Sequence, residues 1–162
     1  MPEIIIIAHN IRSTHNVGAI FRTAEGFGVH KIILSGYTPS PQTSNDTRLP
    51  HISLKLSSQI HKTALGAENI VPFEYSETPD ISALKDAGYR IAGLEQADRS
   101  TPLNTYVSPD KIVLILGEEV NGIPGELLAQ CEDILEIPMV GKKESFNVSV
   151  ATGIALYQLS LF

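Results

Sequence analysis

Three segments of the 162-residue chain concentrate side chains that could bind a ligand or do chemistry. The first runs from Asn10 to Ala24 and contains Asn16 and Arg22 on a predicted helix. Arg22 carries a permanent charge and a planar fork of donors, which suits a phosphate group. The two side chains lie about two turns apart, so they cannot touch along one face, although both could reach a common ligand. The simpler alternative is a capping Asn16 and a surface Arg22.

The second and third segments follow two later apolar runs. Residues 116–124 read Leu-Gly-Glu-Glu-Val-Asn-Gly-Ile-Pro, in which Gly117 would let a ligand approach the backbone and Gly122 suits a turn. An acidic turn that caps the next helix is the alternative here. Residues 137–149 contain Ser145 and Asn147, either of which could cap the last helix. The same helix N-terminus would also suit a cofactor carboxylate or a polar base.

Other catalytic patterns are missing from the sequence. The five histidines show no metal-ligand spacing, and no Cys/His cluster occurs, so we expect no metal. No Gly-x-Ser-x-Gly elbow presents a serine nucleophile. The chain has neither a P-loop nor a Gly-x-Gly-x-x-Gly motif. Taken alone, the three segments therefore support a loop-built site of unspecified chemistry.

The elements that must position these segments alternate between strands and helices. Short apolar, β-branched runs predict strands at 4–8, 31–35, 70–73, 90–94, 111–116 and 134–137. Helical patterns predict helices at 17–26, 51–65, 79–87 and 125–131 and from 147 onward. This alternation indicates an α/β domain on a mostly parallel sheet flanked by helices. Each chemical segment follows a strand, where ligands of such sheets bind.

The length of the chain predicts one compact domain over residues 1–162. Cys131 is the only cysteine, so an internal disulfide is excluded, and we expect a cytoplasmic protein. The apolar run at 4–8 is too short for a signal sequence or a membrane span, so no membrane association is expected.

The net charge of −6 is unevenly distributed. Residues 1–66 carry six Lys/Arg against three Asp/Glu, whereas residues 67–141 carry four against fourteen. Such asymmetry is compatible with one phosphate-facing surface and one acidic flank, with chance clustering as the alternative. The stretch 36–50 is rich in Pro, Ser, Thr, Asn and Asp, which predicts a long exposed loop with a functional role.

The last predicted helix has apolar side chains on every side. They are Val148, Val150, Ile154, Leu156, Leu159, Leu161 and Phe162. A terminal helix of this kind needs two covers, and in a small chain a second copy of the same chain is the expected second cover. Burial of the whole helix within one monomer is the alternative.

Together and in this order, the three segments resemble the motifs of the SpoU/TrmH branch of SPOUT methyltransferases. The first resembles Asn-x-Gly/Ala-x-Ile-x-Arg-Thr, the second Gly-x-Glu-x-x-Gly, and the third Ile-Pro-Met followed by Ser-Leu-Asn-Val-Ser. The resemblance covers essentially the whole chain. Phe146 departs from the pattern, because the family usually has Leu there.

The resemblance implies an α/β fold with a C-terminal deep trefoil knot and S-adenosylmethionine (SAM) held at the knot. It implies a cofactor pocket formed by Leu94, Gly117, Ile137, Met139, Ser145, Phe146 and Asn147. It also implies a homodimer in which Arg22 of one subunit approaches the cofactor of the other.

The implied activity is ribose 2′-O-methylation of RNA, either tRNA or rRNA. The residues that the resemblance makes catalytic are Asn16, Arg22, Glu119, Ser145 and Asn147. Arg22 is a better phosphate clamp than a base, because arginine almost never loses its charge. Asn16 would orient Arg22 or the ribose. Arg12, Arg22 and Arg48 are the predicted RNA contacts. The alternatives are a non-catalytic RNA- or SAM-binding module and a flavodoxin-like nucleotide or flavin protein.

Overall fold

A computed structural model describes residues 1–161 of the chain, which form one seven-stranded parallel sheet with helices on both faces. The strands are β1 Glu3–His9, β2 Lys31–Ser35, β3 Phe73–Ser76, β4 Arg90–Leu94, β5 Thr101–Pro102, β6 Lys111–Leu116 and β7 Asp133–Glu136. Their order across the sheet is β3-β2-β1-β6-β4-β7-β5. The predicted α/β class and parallel sheet are confirmed.

Strand β1 lies near the middle of the sheet and pairs with β2 on one side and β6 on the other. Ile4, Ile6 and Ala8 point into one core, and Ile5 and Ile7 point into the other. An unbroken apolar run is required here because successive side chains of a strand alternate between two buried faces.

The helices divide unequally between the two faces of the sheet. They are α1 Thr14–Gly26, α2 Pro50–Ala64, α3 Ile81–Asp86, α4 Gly125–Leu128 and α5 Val148–Ser160. Helices α1, α2 and α5 contribute to the larger core, and α3 and α4 contribute to the smaller one. Short 3₁₀ turns occupy Ala67–Asn69 and Leu103–Thr105.

Two predicted elements start three residues away from where the structure has them, and each difference has a local cause. The strand predicted at 70–73 begins instead at Phe73, because the amide of Val71 bonds to the Ala67 carbonyl and continues a turn. Helix α1 begins at Thr14 rather than Val17, because the Ser13 side chain accepts a hydrogen bond from the Asn16 amide at 3.2 Å. Ser13 therefore caps α1, and the alternative that Asn16 is the cap is wrong.

Helix α5 lies alongside α1 and runs in the same direction. Asn16 contacts Asn147 near the two N-termini, Thr23 lies beside Gly153, and Phe27 packs edge-on against Tyr157. One side of α5 is buried through Thr152, Ala155, Leu156 and Leu159. The opposite side leaves Val150, Ile154 and Tyr157 exposed.

Within a single chain, therefore, only one side of α5 is buried. The alternative that the whole helix is buried within one monomer is wrong. This conclusion concerns the helix up to Leu161, because Phe162, which was part of the predicted apolar surface, lies outside the described residues.

No helix within residues 1–161 is long and apolar enough to cross a lipid bilayer. Across the same residues, His, Cys, Asp and Glu side chains form no group of three that could hold a metal ion. The C-terminal trefoil knot stays a prediction from the resemblance.

Candidate functional site

A cleft of about 640 Å³ lies beyond the carboxyl ends of β4, β6 and β7, and we call it the acidic cleft. Its volume falls in the usual range for small-molecule sites. The lining residues are Leu94, Glu95, Gln96, residues 116–123, residues 135–137, residues 144–148 and Ala151. The cleft thus combines the predicted second and third segments at the edge of the sheet where ligands of parallel α/β folds bind.

A chain of side-chain hydrogen bonds connects all three predicted segments at this cleft. Asn147 Nδ2 donates to Asn16 Oδ1 at 3.2 Å, and Asn16 Nδ2 donates to Glu119 Oε1 at 3.1 Å. Asn147 also caps α5, because its Oδ1 accepts from the Ser149 amide at 2.9 Å. Asn16 makes no hydrogen bond to Arg22 within one chain, and the other predicted role of Asn16, orienting the ribose, stays a prediction. Residues more than 100 positions apart meet here.

The environment of Glu119 keeps its carboxylate ionised. Burial opposes ionisation, but hydrogen bonds from backbone amides and from Asn16 outweigh burial and hold the pKa of Glu119 below its usual range. One of these donors is the Arg12 amide, 3.3 Å from Glu119 Oε2. Glu119 is therefore a fixed negative charge that organises the loop before α1 at neutral pH.

The loop after β6 is a tight turn that depends on two glycines. Gly117 is required because a Cβ there would lie 2.4 Å from the backbone of Gly122. The Cβ direction of Gly117 is thus occupied by the protein's own backbone, while Gly117 also lines the acidic cleft, so its predicted contact with a ligand stays a prediction. Gly122 has a φ of 70°, which favours glycine and confirms the predicted turn. The Glu95 carboxylate accepts from the Ile123 amide at 2.9 Å and fastens the end of this turn.

Glu118 connects the same loop to the segment before α1. Its Oε1 is buried and lies 2.9 Å from an Arg12 guanidinium nitrogen, and its Oε2 accepts from Asn121 at 2.7 Å. The nearby Tyr37 hydroxyl and then the Glu118 carboxylate raise the pKa of Arg12. Helix α4 is capped at Pro124 without a side-chain bond, so the alternative of an acidic helix cap is wrong.

The predicted cofactor residues are mostly found together. Those that line the acidic cleft are Leu94, Gly117, Ile137, Ser145, Phe146 and Asn147, and the predicted catalytic Glu119 joins them. Met139 lies on the loop after β7, outside the lining. Arg22 is exposed on α1 and does not line the cleft of its own chain.

Arg48 differs from the other predicted RNA contacts because its guanidinium is already engaged. Its Nε donates to Asp46 Oδ1 at 2.9 Å, its Nη2 donates to Asp46 Oδ2 at 2.5 Å, and two more bonds reach the carbonyls of Ser40 and Pro41. The long loop is also less exposed than predicted, because Thr38, Ser40 and Pro41 are buried. Arg48 therefore stabilises the loop, and the predicted direct contact with RNA loses its physical support.

Replacing Arg48 with alanine is expected to open the loop at 36–49 and to speed amide hydrogen exchange there by roughly tenfold. The Arg48 side chain holds the pKa of Asp46 far below its usual range. A lowered carboxylate pKa stabilises the fold above the ordinary pKa, and that stabilisation is lost only as the pH falls through the lowered value. The pair thus persists at neutral and mildly acidic pH, where the exchange is measured.

The control for this measurement is Lys55→Ala, which removes an exposed cation of α2 without an ion pair among residues 1–161. Unchanged exchange in the Arg48 variant, combined with weaker RNA binding, would contradict the structural role and restore the contact with RNA.

Sequence reasoning missed the charge of the cleft. Its lining carries five carboxylates, which are those of Glu95, Glu118, Glu119, Glu136 and Glu144. None of the described lining residues is Lys or Arg. The excess of Asp and Glu over Lys and Arg in residues 67–141 indicated an acidic region. Only the strand order shows which of these carboxylates meet at the cleft.

An all-parallel α/β sheet with a loop-built cleft at its carboxyl edge is typical of enzymes that bind a small cofactor. The model of the SpoU rRNA methylase family matches residues 3–157, so the chain belongs to the SpoU rRNA methylase family of the SPOUT superfamily. The predicted resemblance is confirmed.

Individual relatives agree with this assignment. The 23S rRNA (guanosine-2′-O-)-methyltransferase RlmB of Nitrosomonas europaea is 31% identical over 160 residues, covering 97% of this chain and 55% of that protein. The AdoMet-bound rRNA methyltransferase of Sinorhizobium meliloti superposes with a TM-score of 0.79 at 26% identity, covering 97% of this chain and 55% of the other. The A. aeolicus TrmH/SpoU tRNA modifying enzyme gives a TM-score of 0.81 at 25% identity, covering 99% and 75%. The chain spans about half the length of the curated relatives it matches.

Proposed function

We propose that this chain methylates a ribose 2′-hydroxyl of RNA, tRNA or rRNA, with SAM as the methyl donor. The observation that carries the proposal is the hydrogen-bonded chain Glu119–Asn16–Asn147, which joins the three motif segments at the acidic cleft. The named relatives that are rRNA guanosine-2′-O-methyltransferases and tRNA modifying enzymes support the same substrate class.

The charge of the acidic cleft fits SAM better than a phosphate-bearing cofactor. SAM carries a sulfonium and an ammonium against one carboxylate. The described lining has five carboxylates and no Lys or Arg, and only that of Glu118 is paired with an arginine, Arg12 from outside the lining, so the cleft is complementary to SAM. The same lining would repel the phosphates of a nucleotide or flavin, which disfavours the flavodoxin-like alternative. The AdoMet bound to the similar S. meliloti methyltransferase supports this choice.

Residues of two kinds would hold the cofactor. Leu94, Ile137 and Phe146 supply apolar walls, and Ser145 and the turn after Gly117 supply polar groups. When bound, SAM supplies an electrophilic methyl group. The protein must then align a ribose oxygen with that group, and alignment can contribute about 7–11 kcal/mol to catalysis in favourable cases. Glu119 and Asn147 would keep the walls and Asn16 in place for this alignment.

Arg22 would act from a second copy of the chain. It is exposed on α1, and its guanidinium has no hydrogen bond or ion pair to any residue between 1 and 161. A guanidinium can grip the phosphate beside the target ribose and stabilise the oxygen as its proton leaves. Because free Arg titrates above pH ~12, this role is physically better than that of a base.

The exposed side of α5 supports a homodimer. Val150 is 51% exposed, Ile154 37% and Tyr157 58%, and together they form one apolar stripe. A self-complementary contact across a twofold axis would bury this stripe and supply the second cover that α5 lacks. Because α1 lies beside α5, the same contact would bring Arg22 to the partner.

The decisive test measures SAM binding by calorimetry and methyl transfer to bulk tRNA and bulk rRNA. Gly117→Ala is expected to displace the turn after β6 and to lower transfer by roughly 100-fold, because small misplacements of a site are costly. Gly125→Ala is the matched control, because a Cβ at Gly125 meets no atom within 4 Å.

The outcomes separate the candidate functions. Binding of SAM without transfer to either RNA pool would leave a non-catalytic binding module as the better description. A protein that binds no SAM, or that purifies with bound flavin, would overturn the proposal.

A further inference from the structure

A second cleft lies at the same edge of the sheet, on the other side of β1. It encloses about 810 Å³ and is bounded by the segments that follow β1 and β2 and by β3 and α2. We call it the tyrosine cleft, after its lining residues Tyr37 and Tyr75. The other lining residues are residues 12–15, Gly36, residues 38–40, Thr43, residues 45–48, Leu56 and Gln59.

Hydrogen bonds to the end of β1 hold the floor of the tyrosine cleft in place. The Tyr37 amide donates to Asn10 Oδ1 at 3.1 Å, and the Ile11 amide donates to Thr38 Oγ1 at 3.0 Å. Thr38 Oγ1 donates in turn to the Ala8 carbonyl at 2.8 Å. The Asp46–Arg48 pair fixes the outer part of the loop. The cleft is therefore formed before any ligand binds, which lowers the entropic cost of binding.

The groups that the cleft offers suit a nucleobase. Tyr37 is 52% exposed and Tyr75 50% exposed, and aromatic faces of this kind stack on bases of single-stranded RNA. The half-buried Gln59 amide, which can both donate and accept, makes no side-chain hydrogen bond to residues 1–161. Asp46 and Arg48 neutralise each other, and Arg12, the remaining Lys or Arg of the described lining, is paired with Glu118.

The position of the tyrosine cleft connects it to the acidic cleft. Arg12 lines the tyrosine cleft, and its guanidinium contacts Glu118, which lines the acidic cleft. Strand β1 separates the two, with β2 and β3 on one side and β6, β4 and β7 on the other. A polymer that presents one sugar to the acidic cleft would thus reach the tyrosine cleft with a neighbouring unit.

We propose that the tyrosine cleft binds one unpaired nucleoside of the RNA, adjoining the methylated one, with its base against the Tyr37 ring and within reach of Gln59. The inference rests on the proposed function, because that function supplies the RNA. It adds a base-binding site that the three sequence motifs do not contain.

The test uses the full chain without SAM and a single-stranded oligoribonucleotide of mixed sequence that carries 2-aminopurine. Tyr37→Ala is expected to weaken binding by roughly 5- to 150-fold, the range seen when a stacking aromatic residue is removed. Tyr37→Phe keeps the ring and is expected to bind like the parent chain, with the 2-aminopurine fluorescence still quenched. Val107→Ala, at an 82% exposed position outside both clefts, is the control.

A second variant, together with thermal unfolding and SAM binding, distinguishes a loss of RNA binding from misfolding. Gln59→Leu is expected to lower affinity by an amount that depends on the base, while thermal unfolding stays near that of the parent. Calorimetry with SAM is run on the same samples, and neither variant is expected to change SAM affinity. Parent-like RNA binding and quenching in both Tyr37→Ala and Gln59→Leu would overturn the inference. Failure of the parent chain to bind SAM would instead overturn the proposed function.

Discussion

Replacing Arg22 with alanine is expected to lower methyl transfer by roughly 100- to 1,000-fold, the usual cost of losing a preorganised group that stabilises developing charge. Affinity for SAM is expected to stay nearly unchanged, because the proposed role of Arg22 is to grip the RNA phosphate and not to hold the cofactor. Calorimetry and a transfer assay on the same preparation measure the two effects. Arg22→Lys keeps the charge but loses the planar fork, so an intermediate rate is expected. Near-parental turnover by Arg22→Ala would show that the proposed role is wrong.

Mixing two inactive variants tests whether Arg22 acts on the partner's cleft. When Arg22→Ala and Gly117→Ala chains are dissociated together and reassociated, a mixed dimer keeps one intact cleft facing one intact Arg22. Random association of the two chains would restore about a quarter of the parental activity if Arg22 acts across the dimer. If Arg22 acts on its own chain, no site in any dimer is complete and the mixture stays inactive. Recovery of activity in the mixture therefore tests whether two chains share one site, independently of the chemical role of Arg22.

Replacing Ile154 with aspartate is expected to dissociate the proposed dimer. The carboxylate would be buried without a partner, and across a twofold axis each substitution acts twice. We expect the dissociation constant to rise by roughly a thousandfold or more, with a matching loss of methyl transfer at low protein concentration. Sedimentation and activity are measured over the same concentration range.

The matched control for this variant is Ile52→Asp. Ile52 is 42% exposed on α2 and Ile154 is 37% exposed on α5, so both substitutions place the same charge at similarly accessible positions. The control is expected to leave both the oligomeric state and the activity unchanged. A parent chain that sediments as a monomer at high concentration, or an Ile154 variant with full activity as a monomer, would contradict the shared site.

The elements that local pattern predicted well are those whose residues are buried by the sheet itself. Strands β2, β4 and β6 match the predicted ranges to the residue, because apolar β-branched runs between turn signals have few alternatives in an α/β chain. Strand β3 was misplaced because its first apolar candidates, Ile70 and Val71, complete a turn and do not pair. Whether such residues pair is decided by the neighbouring strand, which local sequence does not describe.

The two clefts differ in how far sequence could predict them. The motif segments predicted that Asn16, Glu119 and Asn147 serve one site, and the structure brings these three side chains together. The tyrosine cleft could not be predicted in this way, because Tyr37, Gln59 and Tyr75 belong to no motif and meet only through the order of β1, β2 and β3. The ion pair between Arg48 and Asp46 could not be predicted either, because the sequence of a polar loop does not show whether an arginine faces solvent or a nearby carboxylate.

The double role of the Asn147 amide has a consequence for variant surveys. Its oxygen caps α5 and its nitrogen donates to Asn16, so a single side chain serves both the start of a helix and the site proposed to be catalytic. A library scored for cellular abundance and for methylated product would show both scores depressed at this position, whereas Arg22 variants would depress only the second. If the proposed function is correct, ranking residues by abundance alone would therefore misclassify Asn147 as a residue needed only for folding.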